Sequence, residues 1–107
     1  AGMILSNEPG YYKTGEYGIR VENLVLVEQR RIDGAEKPML GFETLTFAPI
    51  DRDVIDTRLL DLAERAWIDA YHADVQRIIG PQLDGAAKAW LERVTAPLGT
   101  LDGEQAA

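Results

Sequence analysis

The pattern of hydrophobic and polar positions changes once along this chain of 107 residues. In the first half, apolar and polar residues alternate with a period of two, which is typical of strands with two different faces. From Leu62 onward, apolar residues recur at spacings of three and four, the period of a helix that packs along one face. The pattern predicts an α+β fold in which antiparallel strands are followed by two C-terminal helices.

The predicted strands lie in residues 3–7, 18–27 and 39–48. Glu8 follows directly at the end of the first strand. Its backbone is expected to be extended, because a residue that precedes proline is disfavoured in the helical region. Pro9 and Gly10 fit the central positions of a type II turn, in which proline presets φ and glycine accepts a positive φ. The loop after this turn leads into the second strand.

Two carboxylates in this region raise a chemical question. Alternation places Arg20 and Glu22 on one face of the second strand, and antiparallel pairing would bring Glu8 to the same point. One interpretation is an ion pair that closes a hairpin. The other is a divalent-metal site with hard oxygen ligands, in which Arg20 orients a ligand. The spacing alone leaves both open.

The first helix carries clear signals at both ends. Asp61 with Glu64 three positions later is typical of a capping box, and Gly80-Pro81 is expected to stop the helix. His72 falls on its predicted polar side, together with Arg65, and is interpreted as a surface or interface histidine. The predicted apolar stripe comprises Ala63, Ala66, Trp67, Ala70, Tyr71, Val75, Ile78 and Ile79.

The second helix is predicted to follow a cap at Asp84 and to run up to Pro97. Trp67 and Trp90 are interpreted as core or interface anchors. Residues 99–107 have no period and are expected to be frayed.

Composition excludes several classes of partner. The net charge of −7 argues against nucleic acid and anionic membranes, which require a basic patch. The absence of cysteine excludes disulfides and thiolate metal sites and fits a cytoplasmic protein. The longest apolar runs are too short to span a bilayer.

Longer motifs resemble a known family. The runs SNEPGYY (6–12) and YGIRVEN (17–23) are similar to the metal-binding end of the aminopeptidase P group, in the creatinase/methionine-aminopeptidase or "pita-bread" superfamily. The resemblance continues through LGFETLTFAPID (40–51), AWIDAYHADV (66–75) and AWLERVTAPL (89–98), and so covers nearly the whole chain. The helical tail resembles that of the longer, three-domain enzymes.

The resemblance implies a role for four residues. Glu8 and Glu22 match two of the five ligands to a pair of divalent metals, with Glu22 bridging both. Manganese is the first expectation, and zinc or cobalt the alternatives. Arg20 would hold a ligand in place, and Tyr12 would line the pocket as a weaker match. The family's other ligands, two aspartates and a histidine, come earlier in its chains, so this sequence is expected to be a C-terminal fragment.

The implied activity is removal of an N-terminal residue that precedes proline, from a peptide with proline at its second position. Residues 1–50 would end the catalytic domain and residues 51–107 would form a helical extension. The rest of the catalytic chain and a second subunit are the expected partners, and the fragment alone is expected to be inactive. The alternatives are a non-catalytic structural or dimerisation module, and a prolidase or creatinase relative.

Overall fold

The structure is a computed structural model that describes residues 1–99. The chain divides into two compact units, residues 1–46 and the residues from 47 onward. The first contains strands and the second contains helices, as the alternation and the later helical period predict. The part of the predicted frayed tail from residue 100 onward lies outside the described residues. None of the helices within residues 1–99 is long and apolar enough to cross a membrane.

Five strands form the first unit, all paired with antiparallel neighbours. They are β1 (Ile4–Asn7), β2 (Gly10–Lys13), β3 (Tyr17–Arg20), β4 (Asn23–Arg30) and β5 (Met39–Thr44). A three-stranded sheet has the order β1-β4-β5, and β2 and β3 form a separate hairpin. Gly15, at φ +75°, supplies the left-handed residue in the turn of this hairpin.

Two predictions for the strands are wrong. Gly10 does not adopt the positive φ that a type II turn requires; it begins β2 instead. The single strand predicted over 18–27 is divided into β3 and β4, because the pairing is interrupted at Val21 and Glu22. Pro9, which has no N–H to donate, lies in the facing segment between β1 and β2, where the pairing is interrupted as well.

The third predicted strand is shorter than expected. It ends at Thr44, although the Leu45 N–H still donates to the Leu24 carbonyl at 2.9 Å. Beyond this point the backbone binds side chains instead of a strand. The Ala48 N–H donates to the Tyr71 hydroxyl at 3.1 Å, and that hydroxyl donates to the Ala48 carbonyl at 2.9 Å.

The second unit contains two helices, α1 (Leu62–Ile79) and α2 (Gly85–Val94). Short 3-10 helices lie at Arg52–Val54, Thr57–Leu59 and Gly80–Gln82. The predicted capping box is present: Glu64 N–H donates to Asp61 Oδ1 at 2.8 Å, and Asp61 N–H donates to Glu64 Oε1 at 2.9 Å. The second helix ends at Val94, before Pro97, where the Thr95 hydroxyl donates to the Leu91 carbonyl at 2.6 Å.

The core of this unit lies between the two helices and the segment that precedes them. Tyr71, Val75 and Leu91 are its buried members. Partly buried hydrophobic side chains pack around them: Phe47, Ile50, Ile79, Leu83 and Val94. Burial of these side chains is the main favourable term for the unit.

The buried face of α1 is rotated from the predicted one. Arg65 and His72, which were placed on the polar side, are 6% and 0% exposed, whereas Trp67 is 48% exposed. The prediction of His72 as a surface residue is wrong, because the segment around Ile50 packs on this face and its backbone needs an acceptor. The Ile50 N–H donates to His72 Nε2 at 3.0 Å.

Candidate metal centre

The candidate site lies at the interruption between the two strand pairs of the first unit. On one side of it Asn7 pairs with Asn23, and on the other side Gly10 pairs with Arg20. The register is the same on both sides, so Glu8 lies opposite Glu22. The Val21 N–H donates to the Pro9 carbonyl at 3.1 Å and keeps the strands together within the interruption. The two carboxylates predicted from the sequence are therefore cross-strand neighbours.

Arg20 lies next to both carboxylates. Its Nη1 is 3.7 Å from Glu8 Oε1 and its Nε is 3.8 Å from Glu22 Oε2. Each distance is within ion-pair range but too long for a hydrogen bond. The side chains are 51%, 41% and 53% exposed for Arg20, Glu8 and Glu22. Such exposed pairs contribute little to folding stability.

The charges of this cluster do not balance. One guanidinium faces two carboxylates, so the cluster keeps a net negative charge on one face of the hairpin. A second positive charge, such as a divalent cation, would offset this excess. Carboxylate oxygens are also the ligand type that hard divalent cations prefer. Charge and ligand chemistry at Glu8 and Glu22 therefore fit a metal ion.

The number of ligands is small. Within residues 1–99, no group of three or more histidine, cysteine, aspartate or glutamate side chains is placed to hold a metal ion. Glu43, the other strand carboxylate considered from the sequence, pairs opposite Leu26 in the sheet. His72 has its Nε2 occupied by the Ile50 N–H. Glu8 and Glu22 could therefore hold a metal ion only together with further ligands.

Tyr12 shares the face of the cluster. Its position in β2 lies two residues from Gly10, and it pairs opposite Gly18 of β3. Alternation puts Tyr12, Arg20, Glu8 and Glu22 on one face of the hairpin. The structure brings together the four residues that the sequence singled out.

Sequence reasoning missed the two glycines of this face. The region after Gly10 was interpreted as a loop, although two adjacent tyrosines favour a strand. Recognising the hairpin would have placed Gly10 opposite Arg20 and Gly18 opposite Tyr12. In each pair a large side chain of the candidate site faces a residue without a Cβ.

Sequence profiles of protein families match both parts of the chain. Residues 1–29 match metallopeptidase family M24, and residues 38–98 match the profile described as the C-terminal region of peptidase M24. The first match contains Glu8, Tyr12, Arg20 and Glu22. The second contains both helices.

Individual relatives agree with these matches. A probable Xaa-Pro aminopeptidase P from Coprinopsis cinerea is 44% identical over 102 residues, which cover 92% of this chain and 16% of the relative. One from Fusarium vanettenii is 46% identical over 99 residues, covering 89% of this chain and 16% of the relative. The chain therefore spans about one-sixth of the length of these relatives.

A solved structure is also similar. It is X-prolyl aminopeptidase from Caenorhabditis elegans, described as a cytosolic enzyme with a di-nuclear active site. The match has a TM-score of 0.76 at 32% identity and covers 89% of this chain and 16% of that one. The predicted fold, an α+β part of a pita-bread enzyme, is confirmed by this match. Because the C-terminal profile alone covers more than half of its residues, the chain belongs to the M24 family of metallopeptidases.

Proposed function

We propose that this chain is the C-terminal portion of a dinuclear-metal aminopeptidase that removes an N-terminal residue preceding proline. The observation that supports it most is the cross-strand pair of Glu8 and Glu22 with a single Arg20 between them. An ion pair that merely closed the hairpin would need one carboxylate. Two carboxylates with one cation leave a charge that a metal ion would neutralise.

Glu8 and Glu22 would hold the metal ions through their carboxylate oxygens, with further ligands from parts of the enzyme outside this chain. Two divalent ions, manganese first with zinc or cobalt as alternatives, would supply an activated water and stabilise developing negative charge. Arg20 would keep the two carboxylates oriented toward each other. The Tyr12 hydroxyl would face the peptide from the same side of the hairpin.

The remaining assignments follow from this proposal. The substrate is a peptide with proline at its second position. Residues 1–50 would complete the catalytic domain and residues 51–107 would form its helical extension. The cytosolic description of the similar nematode enzyme supports a cytoplasmic location.

A substitution at Glu22 tests the proposal in the complete protein that carries this chain. We expect Glu22→Gln to lower the metal content and to reduce hydrolysis of an Xaa-Pro-Xaa peptide by at least about 100-fold, because the carboxylate that would hold the metal loses its charge. Glu28→Gln is the matched control, since Glu28 is a glutamate of the following strand β4 and pairs with Arg30 at 2.8 Å. Full metal content and activity in Glu22→Gln would contradict the assignment.

The choice between aminopeptidase and prolidase requires a second substrate. An aminopeptidase P cleaves longer Xaa-Pro-Xaa peptides, whereas a prolidase is restricted to the Xaa-Pro dipeptide. We expect the complete protein to cleave the longer peptide. Cleavage of the dipeptide alone would favour the prolidase alternative.

Association of subunits is a second candidate function of the helical unit. Apolar surface is exposed at Leu59 in the 3-10 helix before α1 (81%), at Leu62, the first residue of α1 (77%), and at Trp67 further along α1 (48%). We expect this surface to contact a second copy of the protein. Leu62→Glu should then reduce the mass measured by light scattering to that of a monomer, whereas Lys88→Glu on α2 should not. A dimer that persists in Leu62→Glu would contradict the assignment.

A further inference from the structure

The two glycines of the candidate site are in close contact with Tyr12. A Cβ atom added at position 18 would lie 2.7 Å from Cδ1 and 3.1 Å from Cε1 of the Tyr12 ring. These separations are shorter than carbon atoms tolerate without a shift of the ring. The Cδ1–Cε1 edge of the Tyr12 ring therefore occupies the space beside Gly18 that a side chain at position 18 would need.

The hydroxyl end of the Tyr12 side chain lies next to Gly10. A Cβ at position 10 would lie 2.8 Å from the Tyr12 hydroxyl oxygen and 2.9 Å from Cγ of Arg20. It would also lie 3.0 Å from the Ile19 carbonyl oxygen, which belongs to the backbone and cannot rotate away. The absence of a Cβ at Gly10 thus admits both the tyrosine hydroxyl and the stem of the arginine.

The direction of the ring has a consequence for the site. From its own position opposite Gly18, the ring extends back along β2 to Gly10, which is the neighbour of the carboxylate pair on this face. Its hydroxyl has no hydrogen-bond partner among residues 1–99, and Tyr12 is 63% exposed. The contact with the glycines therefore determines where this free hydroxyl lies.

We propose that Gly10 and Gly18 form a platform that fixes the Tyr12 ring against the hairpin and directs its hydroxyl toward the Arg20–Glu8–Glu22 cluster. Both glycines are positioning residues that act through Tyr12. Neither adopts a positive φ, so backbone freedom does not explain their identity. In a strand, glycine is otherwise less favourable than alanine.

The platform itself can be tested without a peptidase assay. With glycine-labelled complete protein, we expect the Gly18 Hα resonances to show cross-relaxation to the Tyr12 ring protons and to be displaced by the ring current. Tyr12→Phe should preserve both effects, and Tyr12→Ala should abolish them. Gly18 Hα shifts that are identical in the parent and in Tyr12→Ala would overturn the proposal.

The kinetic consequence rests on the proposed aminopeptidase function. We expect Gly18→Ala to lower kcat/KM by up to about 100-fold, since a displaced hydroxyl is misaligned for the reaction. In a Tyr12→Ala background the same change should alter kcat/KM by less than about twofold, because the ring that it displaces is already absent. A glycine needed only for folding would instead give the same loss in both backgrounds, and that result would overturn the proposal.

Gly41→Ala is the matched control. Gly41 is also a strand glycine opposite a large side chain, and an added Cβ would contact Arg30. Arg30 bonds to Glu28 and to the Phe42 carbonyl and is not part of the candidate site, so we expect Gly41→Ala to leave kcat/KM unchanged. An unmodified protein that does not hydrolyse Xaa-Pro peptides would contradict the proposed function, whereas the platform is judged by the Gly18 resonances.

Discussion

At the scale of single residues, Arg20 is the link between the two carboxylates of the candidate site. Its Nη1 faces Glu8 and its Nε faces Glu22, so different nitrogens of one planar group serve the two partners. A lysine ammonium is a single point of charge and lacks this fork. Arginine at position 20 therefore fits the geometry of the pair better than lysine would.

We expect Arg20→Lys to lower kcat/KM of the complete enzyme by about 10- to 100-fold, the range typical of residues that orient metal ligands. Arg30→Lys on β4, which affects the pair with Glu28, should leave kcat/KM unchanged. Steady-state kinetics on an Xaa-Pro-Xaa peptide measures both variants. Equal kcat/KM in the parent and in Arg20→Lys would contradict the role of Arg20.

His72 is the residue whose environment differs most from its prediction. Its Nε2 accepts the Ile50 N–H, and its Nδ1 is buried without a hydrogen-bond partner among residues 1–99. Burial lowers the pKa of the His72 imidazole below its ordinary value of 6.5, the charge of Arg52 lowers it further, and Asp69 opposes the shift. Folding therefore favours the neutral form of the His72 ring.

This shift predicts a pH dependence of stability. Because the unfolded chain binds the proton more readily, the free energy of unfolding should fall as the pH drops below about 6.5 and approaches the lowered native pKa. Urea unfolding between pH 7.5 and pH 5.5 measures it. His72→Gln should be less stable at pH 7.5 but should lose most of this slope; an unchanged slope would show that another group titrates.

At the scale of elements, the first helix is defined by its cap. Asp61 and Glu64 exchange two hydrogen bonds at the start of α1, whereas Asp84 occupies the N-cap position of α2 without a side-chain cap bond. Both helices thus have an aspartate at the N-cap, but only Asp61 makes a side-chain hydrogen bond to its helix. Their comparison isolates the contribution of the bond.

We expect Asp61→Ala to reduce the free energy of unfolding by about 1 kcal/mol. Asp84→Ala should cost clearly less, since its carboxylate makes no cap bond to lose. Chemical denaturation of both variants at pH 7.5 gives the comparison. Equal losses would contradict the assignment of the capping box as the stabilising feature.

The elements that the sequence predicts correctly are those with local causes. The capping box and the stop at Gly80-Pro81 depend on residues within one or two turns, and both are present. The division of the second strand depends on pairing across the hairpin with the segment that contains Pro9. The buried face of α1 depends on the packing of residues 47–52, which sequence periodicity does not contain. His72 was misplaced for that reason. Arg65 was misplaced because its guanidinium donates to the carbonyls of Thr57 and Gly99.

The candidate site was predictable to a similar extent. Glu8, Tyr12, Arg20 and Glu22 follow from alternation and from the resemblance to a known family. The contribution of Gly10 and Gly18 does not, because it requires the register that pairs each glycine with a large side chain. The pairing of β2 with β3 in the structure establishes that register.

At the scale of the whole molecule, the strand unit exposes large hydrophobic side chains on both faces of its sheet. Met3 and Phe42 lie on one face and Ile4 on the other, and all three are about 60% exposed. Soluble domains rarely leave such surfaces uncovered. The exposed faces are consistent with a unit that packs against further protein.

We therefore expect the 107-residue chain alone to show no Xaa-Pro peptidase activity and only weak binding of manganese, since two carboxylates leave the metals with too few ligands. Isothermal titration with manganese and a peptide assay measure both properties. Turnover at the rate of the complete enzyme would contradict this prediction.

The central claim is that Glu8 and Glu22 together hold metal ions. The most direct measurement is a crystal structure of the complete protein with manganese, with anomalous scattering used to locate the ions. We predict anomalous peaks in coordination contact with carboxylate oxygens of both Glu8 and Glu22, with Arg20 beside the ligands. Manganese bound elsewhere, with Glu8 and Glu22 paired only to Arg20, would contradict the account.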